Sequence, residues 1–202
     1  MEIRKFDVQT HDLNTVSDLI LQAYSEAGQT ISYDESSRQI VKDLIETGNN
    51  FLGHENIYLC FSDDTVSGLV IGYTGKSYSK VKTLFHLLIK LRLNQILNYL
   101  IISSQLFDAI YTPNLKEDDF YISVIVVDEE YRNMGIGAFM LNEAVRIAKE
   151  RDCKKIVLDV DKDNLIAQSL YKKFGFININ ENLQSLSKNS ESNYCSMEYV
   201  LS

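Results

Sequence analysis

Apolar residues recur at helical spacing in the first quarter of the chain. Over residues 16–27 they fall three or four positions apart, and Thr10, His11 and Asp12 precede them with side chains suited to capping a helix. Gly28 is a suitable stop for this helix. A second helix is predicted over residues 34–47, where the apolar side chains again share one face.

Short runs rich in β-branched and aromatic residues predict strands between and after these helices. The clearest run, residues 120–127, reads Phe-Tyr-Ile-Ser-Val-Ile-Val-Val and is typical of a central strand covered on both faces. The other predicted strands cover residues 3–8, 56–61, 66–73, 155–160, 176–180 and 195–201. Helices are predicted at residues 136–151 and 165–174. This mixture predicts an α/β (α+β) fold, and we expect a single domain over residues 1–202.

Residues 80–111 carry a long helical pattern rich in Leu and Ile. Lys90, Arg92 and Asn94 interrupt it, so no apolar run approaches the ~20 residues that a membrane span requires. We therefore expect a helical hairpin inserted at residues 78–112, between the third and fourth strands. It could pack on its own domain, border the active site, or form the contact of a homodimer.

Composition and charge narrow the class of protein. The net charge of −8 disfavours nucleic acid as a partner, because such binding depends on neutralising phosphates with Lys and Arg. The acidic surface either favours cationic small molecules and basic peptides or only keeps the protein soluble. The N-terminus lacks the apolar stretch of a signal peptide, and we expect a cytoplasmic protein without membrane contact. Three widely spaced cysteines and three scattered histidines favour neither a disulfide framework nor a metal site; they are Cys60, Cys153, Cys195, His11, His54 and His86.

The segment after the central strand carries the most informative chemistry. Gly135 and Gly137 stand where a loop enters a helix, and Arg132 precedes them. Glycine allows close approach of a ligand to the backbone, while the first turn of a helix has free N–H groups and a positive dipole end. Together they predict a site for a pyrophosphate. Met140 stands where a Rossmann fingerprint has its third glycine, so an NAD-type site is disfavoured.

Two motifs in register then resemble the GNAT superfamily of acetyl-coenzyme A-dependent N-acetyltransferases. The first is Arg132-Asn133-Met134-Gly135-Ile136-Gly137-Ala138, similar to the Arg/Gln-x-x-Gly-x-Gly/Ala signature. It departs from the usual pattern at Glu129, where proline is common, and at Asn133, where glycine is common. The second runs from Asn164 through Ala167 and Tyr171 to Gly175-Phe176 and resembles the family's N-x-x-A-x-x-x-Y-x-x-x-G-F segment.

This resemblance implies a GNAT-like central mixed, mostly antiparallel sheet with splayed middle strands, flanked by helices. It implies that acetyl-CoA is the cosubstrate, without a metal, and that its thioester lies between the strands at 120–127 and 155–160. Asn164 would bond the pantetheine or acetyl region, and Tyr171 would face the sulfur. The backbone positions implied for the pantetheine arm and pyrophosphate are Ile125, Val126, Val127, Arg132, Asn133, Met134, Gly135, Ile136, Gly137 and Ala138.

The same resemblance suggests how an acetyl group would reach an amine. Tyr171 is the first candidate for a general acid that protonates the departing thiolate. Asp159 is the first candidate for a base, since it alternates with Leu158 and Val160 and would share a cleft-facing side with Asp161. Glu117, Asp118 and Asp119 could act through water, or ordered water alone could deprotonate the amine.

The acceptor is expected to be a small-molecule or peptide amine, and the sequence does not name it. The alternative is a non-catalytic acyl-CoA-binding or regulatory module that kept the fold and lost turnover.

Overall fold

A computed structural model describes residues 1–27, 34–77, 115–179 and 194–202 of the 202-residue chain. The predicted helical insertion at residues 78–112 and the predicted helix stop at Gly28 lie outside the described residues. All of the predicted site residues lie within them.

Within the described ranges, seven strands form one sheet in the order β1-β2-β3-β4-β5-β7-β6. Every neighbouring pair is antiparallel except β4 and β5, which run parallel in the middle. The sheet is therefore mixed and mostly antiparallel, as predicted, and the run at residues 120–127 forms part of its central strand β4. The strands are β1 Glu2–Lys5, β2 Ile57–Ser62, β3 Thr65–Thr74, β4 Asp119–Val127, β5 Lys155–Asp161, β6 Ile177–Asn178 and β7 Tyr194–Val200.

Four α-helices among the described residues cover the sheet: α1 Leu13–Glu26, α2 Glu35–Thr47, α3 Ile136–Glu150 and α4 Leu165–Phe174. Local capping sets where the first two begin. Asp12 accepts hydrogen bonds from the amides of Asn14 and Thr15, and Asp34 accepts one from the amide of Ser37. These bonds satisfy amides that have no partner within the helix.

Two hydrophobic cores lie on opposite faces of the sheet. Helices α1 and α2 pack on one face, against side chains that include Tyr121 and Val157. Helices α3 and α4 pack on the other face, against side chains that include Ile122, Leu158 and Val160. Alternation along β4 and β5 thus sends neighbouring side chains to different faces.

The two parallel strands separate halfway along their length. Residues 119–122 of β4 pair with residues 155–158 of β5, and the pairing stops there. Ser123 is an extra residue opposite the step from Ile71 to Gly72 in β3, which makes it a β-bulge. A bulge bends its strand and increases the local twist, so β4 turns away from β5 at the point where pairing ends. The expected splay of the middle strands is confirmed.

Candidate active site

The splay opens a cavity of about 130 Å³ between β4 and β5. It is bounded by the C-terminal end of α1, by the splayed parts of both strands, by the start of α4 and by β7. The polar side chains in its wall are Tyr24, Glu26, Tyr121, Ser123, Asp159, Asp161, Asn164, Tyr171 and Tyr194. The gap therefore brings together residues that are up to 170 positions apart in the chain.

The edge of β4 that faces this gap has no strand partner beyond Ile122 in the part of the chain that the structure describes. From Val124 to Val127 the strand is bonded to β3 on its other side only. Ile125 and Val127 turn their side chains toward the α3/α4 core, and Val126 is buried in the α1/α2 core. The carbonyl of Val127 accepts a hydrogen bond of 3.2 Å from Gln22 Nε2. An extended ligand would find backbone groups along this edge, and the binding role of Ile125, Val126 and Val127 stays a prediction.

The loop between β4 and α3 presents a set of backbone amides. Asn133 and Gly135 both adopt left-handed backbone conformations, with φ of 62° and 79°. Asparagine is one of the few residues other than glycine that often adopt this conformation. Gly135 is the N-cap of α3, and the first helix bond runs from Phe139 to its carbonyl. Among the described residues, no atom accepts a hydrogen bond from the backbone N–H groups of residues 133–138.

Two side-chain observations explain the glycines in this loop. A Cβ on Gly135 would meet nothing within 4 Å, so the space beside it is open to a ligand. A Cβ on Gly137 would lie 3.0 Å from Leu170 Cδ2 of α4. Gly137 therefore lets α4 approach α3 closely, whereas Gly135 faces free space.

Arg132 lies beside this loop and is already paired. Its guanidinium contacts the Glu26 carboxylate at the end of α1, and its Nε lies 3.5 Å from the Val127 carbonyl oxygen. Both partners of the ion pair are two-fifths exposed. An open groove of about 570 Å³ adjoins it, lined by Gln22, Ser25, Glu26, Asp128, Glu129 and Glu130. An incoming phosphate would compete with Glu26 for the guanidinium.

Asn164 forms the N-cap of α4. Its side-chain oxygen accepts a hydrogen bond of 3.0 Å from the amide of Ala167, so this atom has a structural role. Asn164 lines the cavity, and its side-chain NH₂ group has no hydrogen-bond acceptor among the described residues. It can therefore donate to a carbonyl of a ligand in the gap.

Tyr171 enters the gap from the α4 face. Its side chain is buried, and its ring lies 5.7 Å from that of Phe176. Its hydroxyl has no hydrogen-bond partner among the described residues. Burial raises the pKa of Tyr171 well above the usual range of a phenol. The hydroxyl thus stays protonated and is available as a donor.

Asp159 lies on the opposite, α1/α2 side of β5, since it is two residues from Val157 of that core and alternates with Leu158 and Val160 of the other core. Tyr121 Oη donates a hydrogen bond of 2.9 Å to its Oδ2, and the Ser196 hydroxyl donates to its Oδ1. Burial raises the pKa of Asp159 above its ordinary value, while the two hydroxyls lower it in part. A carboxylate with a raised pKa is a stronger base than an exposed one.

The other acidic candidates have different positions. Asp161 lines the cavity, but its Oδ1 accepts a hydrogen bond of 2.7 Å from the amide of Asp163. Asp118 forms an ion pair with Lys154 at 2.5 Å, and Asp119 accepts from the amide of Lys116 at 3.0 Å. These last two lie at the start of β4, at the end of the sheet away from the gap, and they do not line the cavity.

Sequence reasoning missed Tyr121 and Ser196. The visible signal was a tyrosine and a serine in strands that are otherwise largely apolar. Only the register identifies their common partner, because β5 pairs with β4 on one side and places Asp159 opposite Ser196 on the other.

The described part of the chain has neither a candidate membrane-spanning helix nor a candidate metal-binding group. No helix there is both long and apolar enough to cross a membrane. No group of three or more His, Cys, Asp or Glu side chains in those ranges could hold a metal ion.

Comparison with known proteins agrees with the fold and the motifs. The family model described as the acetyltransferase (GNAT) family matches residues 13–176. The chain therefore belongs to the GNAT acetyltransferase family, and the resemblance inferred from the two motifs is confirmed.

Particular relatives share shorter stretches or the fold alone. A Bacillus subtilis (strain 168) protein provisionally named ribosomal protein bS18-alanine N-acetyltransferase is 41% identical over 58 residues, which are 29% of this chain and 38% of that protein. An N-acetyltransferase from Staphylococcus aureus Mu50 aligns with a TM-score of 0.69 and 20% identity, over 98% of this chain and 100% of its own. A Bacillus subtilis acetyltransferase in complex with CoA aligns with a TM-score of 0.55 and 15% identity, over 99% and 98% of the two chains.

Proposed function

We propose that this protein transfers an acetyl group from acetyl-CoA to a primary amine by direct attack in a ternary complex. One observation carries the proposal. The gap in the sheet leads along β4 to a loop whose amides find no acceptor among the described residues, and a buried tyrosine and a half-buried carboxylate line its two sides. Membership in the GNAT family supports the same reaction.

The residues present suit acetyl-CoA as the cosubstrate. Amides of residues 133–138 at the positive end of α3 would bind the diphosphate, with Arg132 as an additional cation once it leaves Glu26. The unpaired edge of Ile125, Val126 and Val127 would bind the pantetheine arm, and the Asn164 side-chain amide would donate to it. The Bacillus subtilis acetyltransferase of similar fold is in complex with CoA, which supports this choice of cosubstrate.

The proton transfers can be assigned to the two sides of the gap. Asp159 would accept a proton from the amine, so that the nitrogen lone pair can attack the thioester carbonyl. As the new C–N bond forms and the C–S bond breaks, Tyr171 would donate its proton to the departing sulfur. Burial disfavours the thiolate and the Tyr171 phenolate alike, so the proton would pass from Tyr171 to the sulfur as the C–S bond breaks, and the phenolate would regain a proton before the next cycle.

The acceptor is proposed to be a small-molecule or peptide amine. The Bacillus subtilis relative is named as an N-acetyltransferase for alanine of ribosomal protein bS18, which makes peptide amines one class to test. Acidic side chains around the groove near Glu26 are compatible with a cationic amine.

An amine panel tests the proposal directly. Acetyl-CoA is incubated with peptides bearing free N-termini, polyamines, aminoglycosides and small metabolite amines, and thiol release is measured together with the mass of the product. Wild-type turnover with loss in Asp159→Asn and Tyr171→Phe would support the assignment. If acetyl-CoA binds tightly but no amine is acetylated, the non-catalytic acyl-CoA-binding module becomes the better interpretation.

Initial rates address the ternary complex. Intersecting double-reciprocal lines, with no acetylated enzyme in intact-mass spectra after incubation with acetyl-CoA alone, are expected for direct attack. Parallel lines with an acetyl-enzyme would contradict it.

A further inference from the structure

Two hydroxyl groups hold the Asp159 carboxylate, one on each oxygen. Tyr121 Oη lies 2.9 Å from Oδ2, and the Ser196 hydroxyl donates to Oδ1. The first comes from β4 and the second from β7, the two strands that flank β5. The carboxylate is thus held by side chains from both strands that flank β5.

The fold produces this arrangement where the strands begin to separate. Tyr121 pairs with Val157 in the last stretch of β4–β5 ladder, one residue before pairing ends. It is 2% exposed, and its ring packs 5.5 Å from that of Tyr73. Its side chain reaches forward from this fixed ring to Asp159, two residues beyond its own partner on β5. Ser196 is the direct cross-strand neighbour of Asp159.

We propose that Tyr121 and Ser196 are positioning residues for Asp159, which they orient so that its remaining lone pairs face the cavity where the acceptor amine must lose its proton. This inference rests on the proposed function, because it assigns to Asp159 the role of base. It adds two residues to the mechanism that contact the base and are not themselves required to contact a substrate.

The hydroxyls of Tyr121 and Ser196 are the groups around Asp159 that favour its charged form. Burial raises its pKa, and the hydrogen bonds from Ser196 and Tyr121 lower it. Lys155 and Glu198, further along β5 and β7, form an ion pair with each other at 2.8 Å. The other titratable groups around the cavity are Tyr24 and Glu26 of α1, Asp161 of β5, Tyr171 of α4 and Tyr194 of β7. Removing either hydroxyl should therefore raise the pKa of Asp159 further.

The pH profile of kcat/KM tests this directly. A base must be deprotonated to act, so activity falls as the pH drops through the pKa of the base in the free enzyme. Tyr121→Phe and Ser196→Ala should each move this acid limb upward by about one pH unit, the size expected when one hydrogen bond to a charged group is lost. Ser196→Thr keeps a hydroxyl and should restore the wild-type limb. The profile is measured with two amines of different pKa. An acid limb that is caused by ionisation of the substrate shifts with the pKa of the amine, whereas a limb that is caused by Asp159 does not.

Tyr58→Phe is the matched control. It removes a buried tyrosine hydroxyl that bonds Arg151 and lies in the core on the other face of the sheet. Its acid limb should stay at the wild-type pH. A loss of activity at all pH values with an unmoved limb in both Tyr121→Phe and Ser196→Ala would show a merely structural role and overturn the inference.

A direct titration separates this inference from the proposed function. Carbon-13 labelling of aspartate side chains allows Asp159 to be followed by NMR, and its resonance is the one missing in Asp159→Asn. A raised titration midpoint in either hydroxyl variant supports the inference even if no amine in the panel is acetylated, in which case the proposed function alone fails. An unchanged midpoint in both variants overturns the inference whatever the activity.

Discussion

Gly135→Ala tests the diphosphate site with the least disturbance of the fold. Gly135 has a φ of 79°, a left-handed conformation that costs an L-residue with a side chain about 1–2 kcal/mol. The added methyl group meets no protein atom within 4 Å, so this conformational cost is the main destabilisation. For a domain of this size it should lower Tm by roughly 2–8 °C. A stability of about 5–15 kcal/mol leaves the variant folded.

The same methyl group should weaken acetyl-CoA binding far more than it weakens the fold. It enters the open space beside the unpartnered amides of residues 133–138, where a diphosphate is expected. A hydrogen bond to a charged group contributes about 1.5–3 kcal/mol. Displacing the diphosphate from one such amide should therefore lower affinity roughly 10- to 100-fold. Gly137→Val is a poorer test, because a Cβ there lies 3.0 Å from Leu170 and disturbs the packing of α4.

Calorimetric titration with two ligands makes the result specific. Acetyl-CoA should lose affinity for Gly135→Ala, whereas S-acetylpantetheine, which has no diphosphate, should bind wild type and variant equally. Gly48→Ala is the control for a general loss of stability: Gly48 also has a positive φ, of 64°, and ends α2 away from the loop, and a Cβ there would lie 2.8 Å from His54 Cε1, so this variant is destabilised without touching the diphosphate site. Unchanged acetyl-CoA affinity in folded Gly135→Ala, or an equal loss in Gly48→Ala, would refute the placement of the diphosphate.

Three further changes probe other parts of the site. Tyr171→Phe should keep the Kd for acetyl-CoA and lower kcat about 10²-fold, the usual loss of a general acid; an unaltered single-turnover rate would remove Tyr171 from the chemistry. Glu26→Gln frees Arg132 from its ion pair and should tighten acetyl-CoA binding, by at most about fivefold because exposed pairs contribute under about 1 kcal/mol; weaker binding in a calorimetric titration would contradict the competition. Replacing residues 78–112 by a short Gly/Ser linker should spare acetyl-CoA binding and change amine preference in the panel. Sedimentation of the same protein shows whether the segment instead forms a dimer contact, and an unchanged amine preference with an unchanged oligomeric state would contradict both roles.

Elements with local signals were predicted accurately from the sequence. The predicted helix at residues 165–174 is the observed α4 Leu165–Phe174, because both of its ends are set by neighbouring residues. Asn164 caps the first turn with its side chain, and Gly175 takes a left-handed φ of 115° after the last. The predicted β1 was too long, since the structure ends it at Lys5.

Features that depend on the pairing register of the strands could not be predicted from the sequence pattern. Alternation along β5 assigned Asp159 to one face, and the structure agrees, but its two donors lie 38 and 37 positions away in sequence. The Arg132–Glu26 ion pair joins residues 106 positions apart, and no local pattern relates them. The splay itself was expected only through family resemblance, because the bulge at Ser123 becomes visible only when β3 and β4 are aligned.

The position of the gap is an argument for the proposed direct transfer and against a covalent acetyl-enzyme. The amides of residues 133–138 and the Ile125 and Val127 side chains lie toward the α3/α4 face, whereas Asp159 and Tyr121 belong to the α1/α2 face. A donor and an amine can therefore approach from opposite faces and meet where β4 and β5 separate. Among the described residues, no cysteine or histidine lines the cavity, and the Ser123 hydroxyl is directed to the Ile71 carbonyl at 3.4 Å. A covalent acetyl-enzyme would need an activated nucleophile in the cavity. The described residues that line the cavity instead supply carboxylates and tyrosine hydroxyls, which are suited to proton transfer.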